Sequence, residues 1–597
     1  MSDSTLGWRA AGGRVERRLD TISHRLFGHH ATSPRHDTER AVYRGAGLEV
    51  DFETYVARTY AASWGGAVAG GFLGGMIWGI LGAVLTGVLA KWLVVVLRGR
   101  YLRWRAAARQ AEIERTLPAA VQYLRILAIG GGSLRSMLRR VAESDTHGET
   151  AVAFRTVLHR ADLSGSLNRG LRSVARDTPS NMLAPVLLKL REYAATGPEE
   201  LTAYLRMESR ILGHQQTSLR ERREGMLGVF TELFVVLLAA PALFVVVVAV
   251  AAVFSTGLDQ GVITPLGDLS LRTLLLEGSA VGVVLVGWTS VKLTESLRPQ
   301  MAAGSPRRPE SIRGTLRSAG SNPASTAVVL APVGLTVAGI GLIVGEQPIT
   351  SGIVGYAVWA LPVGSVAIRR TRRMAARNRE FRDVIHALAR HMTLGQTLTE
   401  SVERIAANHT PQAIGEDLRS LHFRTRLRTT PTDATARTAA LKQFADDIGT
   451  PLAERIIEMF IGGLDAGSNT ETIVEVLEAE VDRSYHTGRT QRQAMRAYVV
   501  IGWTTALLVI TIAVAVSVHV LPALAQLAVV ADHGSFVDPR SVEIERMTTQ
   551  FYHIAIASSL ACGWFAGTAG GDRYEGLFHS GVLVMIAYIG FWGVGLA

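Results

Sequence analysis

"LAIGGGSLRSMLRRVAE", residues 127–143, and "HMTLGQTLTESVERIAA", residues 391–407, share one skeleton at an offset of 264 positions. Each has a glycine (Gly131, Gly395), a hydroxyl residue two later (Ser133, Thr397), a leucine (Leu134, Leu398), then a stretch closing on Arg-Val-Ala or Arg-Ile-Ala. Glycine permits a tight turn, and the hydroxyl can accept from the open N–H groups of a first helical turn. Thr397 and Glu400 also have the spacing of a capping box. Both stretches therefore read as helix starts that follow another helix.

The same offset extends upstream. It pairs Leu117 with Phe381, Val121 with Ile385 and Leu124 with Leu388, apolar positions at helical spacing. Downstream, "AATGPEELTAYL" (194–205) matches "LDAGSNTETIVEVL" (464–477) with a small gap, so that Gly197 and Gly467 each precede an amphipathic helix. Within the first stretch "GSLRSMLRRVA" (132–142) recurs as "GSLNRGLRSVA" (165–175), which predicts a bundle of short helical hairpins. No alternating strand pattern occurs in either region, and the layout reads as a duplication.

The setting of the repeats is apolar. Runs long enough to cross a bilayer occur at 229–254, 325–345, 351–368, 498–521, 550–570 and 577–597, with 273–291 as a further one weakened by Glu277. Residues 61–97 hold one charge, Lys91, and are long enough for two short Gly-rich spans. The sum is about nine spans. Arginine-rich segments alternate with acidic ones along the chain, which places the basic segments in the cytoplasm.

The expected organisation is a cytoplasmic arm (1–60), spans 1–2 (61–97), a first cytoplasmic bundle (98–228), spans 3–4 (229–296), a basic loop (297–324), spans 5–6 (325–368), a second bundle (369–497) and spans 7–9 (498–597), with the C-terminus outside. The fold class is an all-α, polytopic membrane protein. The formal charge of +11 is mainly a topology signal and requires no nucleic-acid partner. Cys562 is the single cysteine, so disulfides and cysteine-based metal sites are excluded. Lysine occurs only at 91, 189, 292 and 442, an arginine habit typical of a GC-rich genome.

These features resemble the type II secretion system F-domain family, the platform proteins of type IV pilus, type II secretion and archaellum machines. The resemblance covers about 109–255 and 375–520, carried by Gly131, Ser133, Leu134 and Gly197 in the first domain and Gly395, Thr397, Leu398 and Gly467 in the second. Two such domains with extra spans around them resemble the archaeal long form. The second copy departs from the pattern: "HFRTRLRTTPTDATARTAALKQFA" lacks the Gly-x-Leu entry kept at Gly165–Leu167. The resemblance implies that the bundles dock on a hexameric secretion ATPase, that pilin-like subunits enter the membrane part, and that the protein forms a homodimer. Arg135, Arg139 and Arg140, on one helix face, and Arg404 in the second copy are the candidate docking residues.

Catalytic chemistry is not expected, nor a metal or cofactor. None of the four lysines follows a glycine, so the Gly-Lys pair of a phosphate-binding loop is missing. His24, His29, His30 and His36 lack helical ligand spacing, His386 and His391 share no helix face well, and the "GGGS" of 130–133 is better explained as a helix-hairpin turn. A secondary transporter, tested on Glu232, Glu277 and Lys91, is the alternative function, with a motorless scaffold as another; all three residues fall near span ends, where snorkelling is cheap. Pro241, Pro332, Pro362 and Pro522 are candidate kinks, and "RRTRR" (369–373) is a stop-transfer and headgroup anchor.

Overall fold

The computed structural model describes residues 37–48, 51–144, 146–254, 261–264, 267–297, 309, 311–408, 412–427, 434–467, 470–523, 526 and 544–595. It divides into two compact units: residues up to His214 together with Met459–Ile473, and Gln215–Glu458 together with Val474–Ala597. His24, His29, His30 and His36, the centre of the basic loop and most of the acidic segment 531–549 lie outside the described residues.

The first unit begins with α1 (Asp37–Ala46) and α2 (Phe52–Ile129). Although α2 is hydrogen-bonded as a single helix, it doubles back on itself. Thr86 Oγ1 donates to Gly70 O at 2.7 Å, and Lys91 Nζ stands 3.7 Å from the Trp64 ring centre. Sixteen residues of straight helix would separate the first pair by about 24 Å. A Cβ on Gly75 would lie 3.3 Å from that of Ala83, so the reversal falls between these two residues. Glycine and alanine at 70, 71, 83, 87 and 90 let the two arms touch backbone to backbone.

The return arm continues into a bundle of α3 (Leu134–Glu143), α4 (Gly148–Ser164), α5 (Leu167–Asp177) and α6 (Leu183–Thr196), followed by α7 (Pro198–Phe254). Leu117, Val121, Leu124, Leu138, Phe154, Val157, Leu171 and Leu187 make its dry interior. Residues 33 apart in the internal repeat take equivalent places, Leu138 with Leu171 and Val141 with Val174, all buried. At Gly170 the crossing of α5 over α4 is closest: a Cβ would sit 2.6 Å from Val157 O and 3.0 Å from Ala161 N. Helix α1 lies across this bundle and the base of the hairpin. Arg44 pairs with Asp177 at 3.2 Å, Arg98 with Glu39, and Arg109 Nη1 donates to Gly45 O at 3.2 Å.

The second unit holds the rest of α7, a two-stranded antiparallel hairpin of β1 (Gly261–Thr264) and β2 (Gly267–Ser270), and α8 (Leu271–Leu297). Then come α9 (Ile312–Ser318), α10 (Pro323–Val344), α11 (Pro348–Thr393), α12 (Leu398–Asn408), α13 (Gly415–Leu427), α14 (Ala434–Ile448), α15 (Pro451–Asp465), α16 (Thr470–Ala515), a π-helical turn (Val516–Val520), α17 (Ile544–Gly570) and α18 (Glu575–Trp592). The β-hairpin is a small departure from the all-helical expectation. The π turn precedes Pro522 and carries the bond from Leu521 N–H to Val516 O, five residues back. It absorbs the missing proline donor by widening the helix, where a kink was expected.

Six helical segments among the described residues are long and apolar enough to cross a membrane: Gly82–Ile129, Thr273–Lys292, Pro323–Val344, Pro348–Thr393, Ile473–Ala523 and Glu575–Trp592. The chain is a multi-pass, α-helical membrane protein. The 46 residues of α11 would measure about 69 Å against a hydrocarbon core of about 30 Å, so only the apolar part before Arg369 crosses. In α16 the apolar part starts near Tyr498. Six is fewer than the nine read from the sequence. Helix α17 carries Gln550, His553, Ser558 and Ser559, which lower its hydropathy although it is the most enclosed helix of its unit.

Close contact explains those small residues. Gly563 and Gly567 of α17 face Ser580 and Gly576 of α18, and Gly287 of α8 meets Ala561, whose Cβ is 2.5 Å from where a side chain would start. Such small-xxx-small pairs are how helices gain packing where lipid removes the hydrophobic drive. Polar ties complete the hairpin: Tyr356 Oη and Ser580 Oγ are 2.6 Å apart, and Trp564 Nε1 donates to Tyr356 Oη at 2.9 Å.

The Gly170 crossing makes a test of the first bundle. Gly170→Leu is expected to destabilise it by about 1–3 kcal/mol through overpacking. Gly225→Ala in α7, where no atom lies within 4 Å, is expected to stabilise by about 0.5–1 kcal/mol. Thermal unfolding of the purified protein in detergent reads both.

Candidate functional site

The quoted stretch forms a tight helical hairpin between the end of α2 and α3. Gly131 turns the chain at φ 73°, and Ser133 Oγ accepts from Ser136 N at 3.3 Å, which caps α3. Leu134 is the first helical residue. Met137, Leu138, Val141 and Ala142 then face the interior and leave the three arginines outside. Arg139 is exposed. The other two are engaged: Arg135 pairs with Asp162 of α4, and Arg140 Nη1 pairs with Asp465 Oδ2 of α15 at 3.1 Å. The basic face that supplies the candidate docking residues is thus partly spent within the protein.

Residues 459–473 belong to this first unit, and their fit explains the Arg140 contact. Gly462 lies against the Tyr123 ring, and a Cβ on Gly463 would meet Ile126 Cγ2 at 2.8 Å and Ile473 Cδ1 at 2.9 Å. The adjacent glycines let the end of α15 approach α2 without a side chain between them. Sequence reading missed this contact because "IGGLD" carries no polarity or repeat signal of its own.

Residues 120–249 match the family model described as Type II secretion system (T2SS), protein F. This stretch is an F domain. It runs from the core face of α2 through α3–α6 and along α7 into its apolar part. No curated protein and no solved structure matches the chain.

The helices after α11 follow the same order as the F domain. Gly395 turns at φ 81°, and the capping box is formed: Thr397 N donates to Glu400 Oε2 at 3.0 Å and Glu400 N to Thr397 Oγ1 at 3.3 Å. Leu398 opens α12, and Phe381, Ile385 and Leu388 are buried, as are Leu117, Val121 and Leu124 of the F domain. Gly467 turns at φ 76°, whereas Gly197, its counterpart in the F domain, is extended at φ 160° and ψ 170°. Arg404 is exposed on α12.

Charge fastens this second series. Glu380 accepts from Ala413 N at 2.8 Å and Ile414 N at 3.0 Å, a carboxylate at the start of α13. Arg377 donates to the carbonyls of Asp447 and Ile448 at the end of α14, at 3.0 and 2.7 Å. His386 stands between two carboxylates of α16, with Nδ1 2.5 Å from Glu478 and Nε2 2.9 Å from Asp482. Only its carboxylate partners, one helical turn apart and 92 and 96 residues downstream, make this histidine notable, so its own neighbourhood gave no sign of them.

Within the membrane helices, Glu277 of α8 meets His553 Nδ1 of α17 at 2.8 Å, and Arg546 donates to Thr273 at 3.0 Å one turn away. Lys91 rests on Trp64, and Glu232 is exposed. Among the described residues no cluster of three metal-ligating side chains occurs.

The His386 clamp predicts a pH response. Burial pushes the imidazole pKa down, but the hydrogen bonds to Glu478 and Asp482 override it, and the net shift is upward from 6.5. The clamp therefore contributes fully below about pH 6.5 and is lost as pH rises through the raised folded value. Between pH 6 and 8.5 the melting temperature of the wild type should fall further than that of His386→Gln. Equal falls would show that the clamp carries no protonation-linked stability.

Proposed function

We propose that this protein is the membrane platform of a type IV pilus-like assembly or secretion machine, an archaeal pilus or archaellum included. The observation that carries the reading is the F domain at 120–249, whose last helix, α7, continues into an apolar segment. A cytoplasmic hexameric secretion ATPase would dock on the helical bundles, and pilin-like subunits would enter the membrane part on their way into the filament. The protein itself would be mechanical and not an enzyme, working as a homodimer. The series from α11 to α16 is then a second F domain produced by duplication, because it repeats the helix order, the Gly turn and the hydroxyl cap.

In this reading the arm (1–60) and both bundles (98–228 and 369–497) are cytoplasmic, the chain crosses nine times, and the C-terminus is outside. The charge alternation of the connecting segments supports it. Arg139 and Arg404 are the arginines best placed for docking, since Arg135 and Arg140 already hold Asp162 and Asp465.

The Glu277–His553 pair favours a second reading, a secondary transporter, since intramembrane ionisable groups mark ion paths by default. The pair lies near the starts of α8 and α17, beside Arg546 and Thr273, which suits a clamp between helix ends better than a relay at mid-membrane.

Two outcomes are expected. Leu163, 76% exposed on the first bundle, is replaced by cysteine; with Cys562 buried, a membrane-impermeant maleimide should label it only after cells are opened. Labelling in intact cells would remove the ATPase from reach and end the platform reading. Arg139→Glu should leave abundance in the membrane normal and reduce surface filaments or secretion by at least about tenfold, the scale of a lost interface charge contact. Normal filaments in that strain would exclude this face as the docking site.

A further inference from the structure

At the base of the membrane hairpin, "LRGRYLRWR" (97–105) splits into two faces. Arg98, Leu102 and Ala106 are buried, with Arg98 paired to Glu39 of α1. Leu97, Arg100, Tyr101 and Trp104 form an exposed stripe at helical spacing, flanked by Arg103 and Arg105. Tyr101 is 48% and Trp104 64% exposed, and their ring centres are 6.2 Å apart. A recess of about 800 Å³ follows this stripe, lined by Val96, Leu97, Arg100, Tyr101, Arg103 and Trp104. Arg103 Nε bonds Gly99 O along its own helix, and no acid pairs with Arg100, Arg103 or Arg105 among the described residues.

Depth identifies the occupant. The hairpin turns between Gly75 and Ala83, so Arg100 to Trp104 lie about 20 to 25 residues along the return arm, roughly 30 to 38 Å from the turn. A hydrocarbon core of about 30 Å ends there and the headgroup layer begins. Apolar residues at the membrane end of the recess, followed by phenol and indole rings interleaved with three uncompensated guanidinium groups, match one kind of molecule, an amphiphile with an anionic phosphate head. The 264-residue offset places Arg105 on Arg369, the first of the arginines of 369–373, but Arg100 and Arg103 on Gly364 and Ala367, so the second handover from apolar to polar helix carries arginines without this pair or its rings.

We propose that residues 96–104 form a binding site for an anionic phospholipid of the surrounding bilayer, its phosphate held by Arg100 and Arg103 with Arg105 adding charge, and its upper chain running along Val96 and Leu97. The site is independent of the secretion role. It fixes the depth and rotation of the helix that leads into the F domain.

The test uses the full-length protein, delipidated in a neutral detergent and titrated with phosphatidylglycerol or phosphatidylcholine carrying brominated acyl chains. Quenching lost in Trp104→Phe isolates the signal of this indole. Phosphatidylglycerol should half-saturate that signal at a concentration at least about tenfold lower than phosphatidylcholine, with each of Arg100→Gln and Arg105→Gln weakening the preference roughly fivefold. The triple change to glutamine should abolish the preference and the triple change to lysine should keep it, at unchanged melting temperature. Because the single variants are read separately, the outcome does not depend on the triple variant folding. An unchanged preference in the single glutamine variants would overturn the proposal. So would competition by soluble glycerol phosphate at the same concentration, which would assign the arginines to a free phosphate.

Discussion

A helix stretch free of glycine and proline has no hinge, and that constraint organises both units. The return arm of α2 from Gly82 has 48 residues and α11 has 46, each roughly twice the length a bilayer core can hold. The excess must stand outside the membrane and becomes the first helix of a bundle. Between Arg100 and Leu117, and between Arg369 and Thr393, neither helix contains a glycine or a proline. The residues usually responsible for sharp kinks are therefore missing from the handover. The depth and rotation of the apolar part then fix where Leu117, the residue before Pro118, or Phe381, Ile385 and Leu388, point.

The membrane helices solve a different problem. With lipid on one side and other apolar helices on the other, burial gives little preference for one packing over another. Specificity comes from backbone approach and from a few polar atoms. Gly563, Gly567, Gly576 and Ser580 bring α17 and α18 together, and Tyr356, Trp564 and Ser580 bond across the resulting contact. Trp503 Nε1 to His579 Nδ1 at 3.0 Å and Thr371 to Glu575 at 2.6 Å repeat the scheme toward the ends of the helices. Each of these groups would be costly if left unpaired in hydrocarbon, so each ties its helix to one register.

Local signals were legible in the sequence and tertiary partners were not. Gly131 and Gly395 needed positive φ, Ser133 and Thr397 capped, and the Thr397–Glu400 box closed, because all of these are decided within four residues. The fold-back of residues 61–97 was legible from length alone. By contrast, Glu277 gives no hint of His553, 276 residues away, and nothing near Arg140 points to Asp465. The Gly462–Gly463 pair reads as a weak helix until Tyr123 and Ile126 are seen against it. Helix α17, read as a span at 550–570, is not among the six apolar segments because its serines, histidine and glutamine lower its hydropathy; they are inside its unit, where neighbouring helices surround them.

Helices α3 and α12, each entered through a positive-φ glycine and a hydroxyl cap, carry different surfaces. In α3 the caps are hydroxyls and the outward face is arginine, two of which reach acids on other helices and one of which is free to meet a partner. In α12 one carboxylate, Glu400, is consumed by the capping box, and Glu403 stands beside Arg404 so that their charges largely cancel. The inward positions keep the apolar pattern in both, since loss of a buried Leu or Val would cost a few kcal/mol, whereas exchange of an exposed charge costs little. Differences between the two helices are therefore least costly on the outer faces. A partner that recognises the first helix by charge finds no equivalent on the second, and the two series are matched in framework but not in what they offer to a docking surface.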